Sequence, residues 1–224
     1  MRFLLLLVVS ILLAINIFLI FMWAPTEVHM GHVQRIFYIH VPSAWIAFLA
    51  FGIVFFGSIQ YLRTREQKWD NLASASAELG VVFTTLVLVT GPIWAKPVWG
   101  IWWTWDVRLT TTLVLWLIYV SYLMVRSYSS NHYQASRYSS ILGIIGVINL
   151  PLIYFAVNWW NTQHQRLVLG VGSTESGLHP DMKTTLYFSL LAFSSLFVYL
   201  LWFRVSLKET EDMVRKNVHL DMDH

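Results

Sequence analysis

Six stretches of about 20 apolar residues, almost free of charge, decide what this chain can fold into. They run Phe3–Trp23, His40–Tyr61, Leu72–Gly91, Thr110–Arg126, Tyr138–Val157 and Thr184–Phe203, and Glu78 is the one conspicuous charge inside them. A helix of that length crosses a hydrocarbon core of about 30 Å and satisfies its own backbone while doing so. Charged residues make up 12% of the chain, against about 25% in a soluble domain. A water-soluble globule and a disordered tail are thereby excluded. No basic stripe offers itself to a nucleic acid, so that partner is excluded too. The expected fold class is an all-α integral membrane protein of six transmembrane helices with an outward-facing Trp-rich loop.

Basic residues orient the spans, because cytoplasmic loops collect Lys and Arg. With the N-terminus inside, ten of them fall on the inner side and five on the outer, the five being Arg35, Lys96, Arg108, Arg166 and Lys183. Both termini are then expected in the cytoplasm. The first span is read as a retained helix, since no small-x-small cleavage site precedes Ala24-Pro25. Residues 1–204 form the expected six-helix transmembrane domain. Residues 205–224 form a cytoplasmic C-terminal tail of alternating acids and bases, expected to be a solvated helix or disordered. Within the fifth span, Pro151 is expected to kink the helix and Asn149 to hydrogen-bond across helices.

On this topology nine of the 12 Trp collect at the outer face. An ordinary aromatic belt populates both interfaces. The densest part is the loop Trp94 to Thr110, WAKPVWGIWWTWDVRLT, with five Trp in twelve residues from Trp94 to Trp105. Gly91-Pro92 is expected to close the preceding helix, and Pro97 and Gly100 to break up the loop. Trp99, Trp102 and Trp103, and again Trp102 and Trp105, would share a face of a short surface helix. An interfacial anchor needs one or two Trp. Five suit a platform for a large flat apolar ligand, because indole supplies much contact area for few torsions. Asp106 and Arg108 are costly at that depth unless paired or ligand-bound, and Arg108 has the fork that clamps a carboxylate.

His40, in RIFYIHVPSAW, is placed at the outer rim of the second span, with Pro42 in the first turn of its helix. His164, in NLPLIYFAVNWWNTQHQR, falls just past the fifth span. Two imidazoles from separate outer segments beside a bed of indoles suit a six-coordinate haem, with Arg35 and Arg108 as cations for its propionates. The chain has no Cys, so haem is not held through the chain's own thiols and iron–sulfur clusters are excluded. A lone His near a helix end is ordinarily a hydrogen-bonded interfacial residue, and His29, His32 and His179 are read that way. Zinc remains open for His29 and His32 at i, i+3, although a zinc site needs no Trp. No nucleophile with a base partner and no phosphate-cradling Gly-rich loop is present, so neither covalent catalysis nor ATP hydrolysis by this chain is expected.

WGIWWTWDVRLT, Trp99 to Thr110, resembles the signature of the haem-handling WWD membrane proteins. RIFYIHVPSAW and NLPLIYFAVNWWNTQHQ, together with the chain length and six-span plan, narrow the resemblance to the cytochrome c maturation protein C family over nearly the whole chain. The resemblance implies a binding and delivery protein of the bacterial inner membrane, not an enzyme. It would hold haem b non-covalently at the periplasmic face and pass it to a membrane-anchored haem chaperone, cytochrome c maturation protein E. It would work beside the ABC-transporter subunits, cytochrome c maturation proteins A and B, and the small subunit, protein D. Carried over, the axial iron ligands are His40 and His164, and the platform is Trp99, Trp102, Trp103 and Trp105. Arg35 and Arg108 meet propionates, and Asp106 orients the loop or the chaperone. Two alternatives are a haem b membrane oxidoreductase and a haem-exporting transporter subunit. The absence of His from the helix centres opposes the first, and the uniformly apolar spans oppose the second.

Overall fold

Local punctuation in the sequence sets where each helix of this bundle starts and stops. The computed structural model describes residues 2–129, 131–160 and 178–222. Helix α1 (Arg2–Phe18) runs into a π-helical turn, Leu19–Trp23, closed by Ala24 N–H donating to Leu19 O at 2.8 Å before Pro25 ends it. A 3-10 turn, His32–Ile36, leads directly into α2 (Phe37–Thr64). The helix therefore begins before His40, and Pro42 lies inside it rather than in its first turn. Arg65, in the left-handed region at φ 59°, closes α2, and Arg65 N–H donates to Tyr61 O at 2.8 Å.

A two-residue link turns the chain back into α3 (Gln67–Trp99). The two helices meet closely because small residues face each other: a Cβ on Gly57 would lie 3.0 Å from Trp69 O and 3.1 Å from Ala73 Cβ. Packing of this kind replaces the hydrophobic drive that lipid does not supply. Ser76 Oγ donates to Ala50 O at 3.0 Å across the same seam.

The largest departure from expectation is the end of α3. Gly91-Pro92 does not close it; the helix continues through Pro92 and Pro97 to Trp99. Each proline removes one ladder hydrogen bond, a loss tolerated in bilayer helices where neighbouring groups re-satisfy the backbone. Gly91 has no Cβ to clash with the Pro92 ring, which relieves the usual restriction before proline. Gly100, at φ 78°, is the true stop. Its N–H donates to Lys96 O at 2.9 Å, and Lys96 Nζ donates to Gly100 O at 2.8 Å. The expected short helix carrying Trp99, Trp102 and Trp103 on one face is absent. Trp99 ends α3, and 101–106 is an irregular connection.

Helix α4 (Val107–Tyr128) starts at an Asp106 N-cap, and α5 (His132–Gly146) at an Asn131 N-cap. The fifth span is interrupted at Val147–Ile148 and resumes as α6 (Asn149–Trp159), with Pro151 in the first turn where a missing N–H is harmless. Asn149 Nδ2 donates to Thr111 O on α4 at 2.8 Å, the cross-helix bond expected of it. Helix α7 (Pro180–Met222) carries the last span and, without a break, the C-terminal segment. Lys208 pairs with Glu78 at 2.8 Å, Arg204 pairs with the same carboxylate, and Asn71 Nδ2 donates to Asp212 at 2.8 Å. The segment after Arg204 is a helix docked on α3.

Among the described residues, six helical stretches are long and apolar enough to cross a membrane. Between them lie clusters around Phe51, Tyr119 and Tyr122, and around Ile46, Phe83 and Phe197. Phe3, Leu4, Ile17, Phe18 and Met22 on the first span point outwards and are exposed, as residues facing acyl chains would be. The protein is an all-α, multi-pass membrane protein.

Candidate functional site

A third cluster draws one end of the bundle together. It packs Ile20 from the first span and Ala24 just past it, Phe37 and Tyr38 from α2, Trp94 from α3, and Met182 and Leu186 from α7. The stretch Asp106 to α4 and the Trp159 end of α6 belong to this same end of the alternating spans. It is the tryptophan end.

His40 is seated here, one turn inside α2 and against α3. Its Nδ1 lies 2.9 Å from Thr90 Oγ1. Its ring meets the Trp94 indole edge-on, centroids 5.9 Å apart. A Cβ on Gly91 would lie 3.5 Å from His40 Cε1, so the Nδ1–Cε1 edge of the imidazole rests on α3. Phe37 also packs edge-on against Trp94 at 6.0 Å. Thr90 and Trp94 were not among the expected site residues. A helix ending at Gly91 offers no surface beyond that point, so only the continuation through Pro92 puts Trp94 beside His40. Five residues on, roughly 7.5 Å along the axis, Trp99 ends the same helix.

The four platform residues divide. Trp99 is helical, whereas Trp102, Trp103 and Trp105 lie in the connection. Trp103 and Trp105 meet edge-on at 5.7 Å. Trp102 is 58% exposed and Trp105 76%, while Trp103 is half-buried. Trp159 and Trp160 are exposed at the end of α6. Trp159 stacks one face on Phe155 at 4.9 Å, while Trp102 and Trp105 are the more open rings of the connection.

Asp106 fixes where the connection ends. Its Oδ1 accepts Leu109 N–H at 2.9 Å, capping α4, and its Oδ2 accepts Thr104 Oγ1–H at 3.3 Å. Arg108 lies half-buried in the first turn of α4 beside it. Arg35 is the penultimate residue of the 3-10 turn, with its guanidinium over the Phe21 ring at 5.8 Å. The turn before it is held by Glu27, whose carboxylate accepts the N–H groups of Met30 and His29, while Gly31 takes φ 58°. The Met30 N–H, first among these contacts, holds the Glu27 carboxyl below its ordinary range. His164 lies outside the described residues, as does Arg166.

Several polar atoms at this end are buried without a partner among the described residues: Arg35 Nε, Trp94 Nε1, Trp103 Nε1 and Thr110 Oγ1. The three nitrogens are donors, and a buried donor left unpaired costs about 1–3 kcal/mol. Donors of this kind, beside exposed indole faces and an imidazole, fit a flat apolar ligand that carries carboxylates. Among the described residues no group of three His, Cys, Asp or Glu gathers as a metal site would require, so zinc at His29 and His32 gains no support.

The family model described as "Heme exporter protein C" matches residues 1–220. Heme exporter protein C of Bradyrhizobium diazoefficiens is 38% identical over 178 residues, covering 79% of this chain and 67% of that protein. Heme exporter protein C of Escherichia coli K12 is 39% identical over 179 residues, covering 77% and 69%. A putative cytochrome c biosynthesis ccmC-like mitochondrial protein of Marchantia polymorpha is 40% identical over 154 residues, covering 69% and 65%. The aligned part is thus about two thirds of the length of each relative.

Proposed function

The chain belongs to the heme exporter protein C family, and on that premise we propose that it binds haem b at the tryptophan end and delivers it for assembly of c-type cytochromes. Proteins of this family handle and transport haem in cytochrome c biogenesis and are not enzymes, and this multi-pass membrane chain is one of them. The observation that carries the site reading is His40, seated on Trp94 at the helix end from which the exposed indoles issue.

In this reading His40 and His164 are the axial ligands of the haem iron. The faces of Trp99, Trp102, Trp103 and Trp105 support the ring, and Arg35 and Arg108 meet the propionates. Arg35 Nε and Trp103 Nε1, without a partner among the described residues, supply donors suited to those carboxylates. Asp106, by capping α4, sets the position of the indoles and of Arg108. Binding is non-covalent, since the chain has no cysteine to form a thioether. Two axial histidines on separate segments permit stepwise release: one leaves the iron while the indoles keep the ring in place, and the histidine of an incoming haem chaperone takes the vacated position.

The excess of Lys and Arg at the opposite end supports placing that end, with both termini, in the cytoplasm of a bacterium and the tryptophan end in the periplasm. The chaperone is then cytochrome c maturation protein E. ATP hydrolysis by the transporter subunits, proteins A and B, with small protein D, would act on this chain from outside its own sequence.

The test is the absorption spectrum of the detergent-purified protein, oxidised and reduced, beside His40→Ala and His164→Ala. A low-spin six-coordinate spectrum that is lost in either variant is expected. A wild-type spectrum in both variants would overturn the ligation.

A further inference from the structure

We infer that Thr90 is the positioning residue that fixes His40 in the tautomer able to ligate iron through Nε2. The inference rests on the reading of His40 as a haem ligand, and it concerns a residue that the Trp motif does not contain.

The one hydroxyl proton of Thr90 decides the tautomer. Thr90 Oγ1 lies 2.6 Å from Leu86 O, one turn back on α3, and 2.9 Å from His40 Nδ1. A carbonyl oxygen only accepts, so at 2.6 Å the hydroxyl proton must lie between the two oxygens. Thr90 Oγ1 is then left with lone pairs towards His40. It accepts, and Nδ1 carries the proton. A neutral imidazole has one N–H, so Nε2 keeps the lone pair that a metal needs. In free histidine the proton prefers Nε2, the opposite arrangement.

Thr90 reverses that preference before any ligand arrives. The hydroxyl also holds the ring plane, because Nδ1 is anchored to α3 while Trp94 flanks the ring edge-on. Donation from Nδ1–H makes the coordinated imidazole a stronger base, as carboxylate and carbonyl partners do behind other metal-bound histidines. The strength with which His40 holds iron, and so the ease of handing haem on, is tuned from a helix that does not touch the iron.

The decisive comparison is Thr90→Val, which keeps the shape and removes the acceptor, against Thr90→Ser, which keeps it. In apoprotein labelled with nitrogen-15 at histidine, the His40 signal is identified as the one missing from His40→Ala. Wild type and Thr90→Ser should show it protonated at Nδ1, and Thr90→Val should move the proton to Nε2. With haem bound, Thr90→Val should lose haem to an apomyoglobin scavenger roughly tenfold faster, in line with other changes behind a metal-bound histidine. Thr90→Ser should release it at about the wild-type rate. A tautomer or a haem-release rate in Thr90→Val equal to wild type would overturn the inference, provided that His40→Ala loses the six-coordinate spectrum. If His40→Ala kept that spectrum, the ligation itself would fall, and the inference with it.

Discussion

The two ends of this helical bundle differ in how their charged and N–H groups are paired. At one end Asp70 is fully buried and its carboxylate is saturated. Arg126 donates to both oxygens, at 2.6 and 2.7 Å, Ser136 Oγ–H donates at 2.8 Å, and Gln67 Nε2 at 3.2 Å. Arg126 also donates to Ser139, and a second pairing joins Glu78 to Arg204 and Lys208. Four helices, α3, α4, α5 and α7, are tied there by groups that face one another. At the tryptophan end Arg35, Trp94 and Trp103 have buried donor atoms with no acceptor among the described residues, and large indoles stand exposed. Polar groups satisfied within the chain hold the structure together. Toward the Asp70 end the buried hydroxyls of Ser58, Tyr122 and Ser140 also lack a partner among the described residues, so what sets the tryptophan end apart is that its unpaired buried groups include N–H donors beside exposed indoles.

The contrast is broken most severely at the saturated end. Asp70→Ala leaves the Arg126 cation among four helices without its partner, and removing one member of a buried pair costs about 3–5 kcal/mol. The melting temperature of the detergent-solubilised protein should fall more than in any other variant named here. The fraction that stays folded should keep the wild-type haem spectrum. Replacing both members, Asp70→Leu with Arg126→Met, should recover most of the loss, because an apolar pair of similar volume removes the uncompensated charge. If Asp70→Ala melted like wild type, the network would not be a structural tie.

Much of this architecture was legible in the sequence, for definite reasons. The six spans follow from length and hydropathy, because a bilayer leaves the backbone so few solutions. Asn149 showed itself as an isolated amide in an apolar run, and its bond to Thr111 bears that reading out. The end of α3 was misread because Gly-Pro is a stop signal in water, whereas here Gly91 relieves the clash and the helix carries on to Gly100. That one difference hid Trp94 from the site, whereas Thr90 read as an ordinary residue near the end of an apolar span. The Asp70–Arg126 pair was missed for another reason. Asp70 precedes its span and Arg126 closes another, so each read as an ordinary residue of an inner loop. Only the packing of α3 against α4 and α5 joins them. His164 falls outside the described residues, so its part in the site rests on the sequence pattern.

A smaller effect is expected where the backbone itself positions the indoles. Gly100 stands at φ 78°, a conformation in which an L side chain costs roughly 1–2 kcal/mol. Gly100→Ala meets no neighbouring atom within 4 Å, so strain is its whole effect. The strain can be relieved by shifting the connection that carries Trp102, Trp103 and Trp105. Gly100→Ala should therefore lower the melting temperature slightly and speed haem loss several-fold. A lower melting temperature with unchanged haem release would mean that the connection holds its indoles independently of the α3 stop.

The smallest effect on stability is expected from Trp103→Phe, and it bears most directly on the difference between the ends. Phe keeps an aromatic ring against Trp105, while the buried Nε1–H that has no acceptor among the described residues is removed. Deleting a donor that makes no bond in the apoprotein relieves a desolvation cost and loses some ring area. The melting temperature without haem should move little in either direction. If that N–H serves a haem carboxylate, its loss should accelerate haem transfer to apomyoglobin by roughly tenfold, the scale of one hydrogen bond to a charged group. At the Asp70 end the same kind of deletion should do the reverse, lowering the stability of the apoprotein and leaving haem release alone. A Trp103→Phe apoprotein that melted well below wild type, with haem release unchanged, would show that the indole is held from within the chain. The two ends would then differ in composition only, and the tryptophan end would lose its claim to be arranged around a ligand.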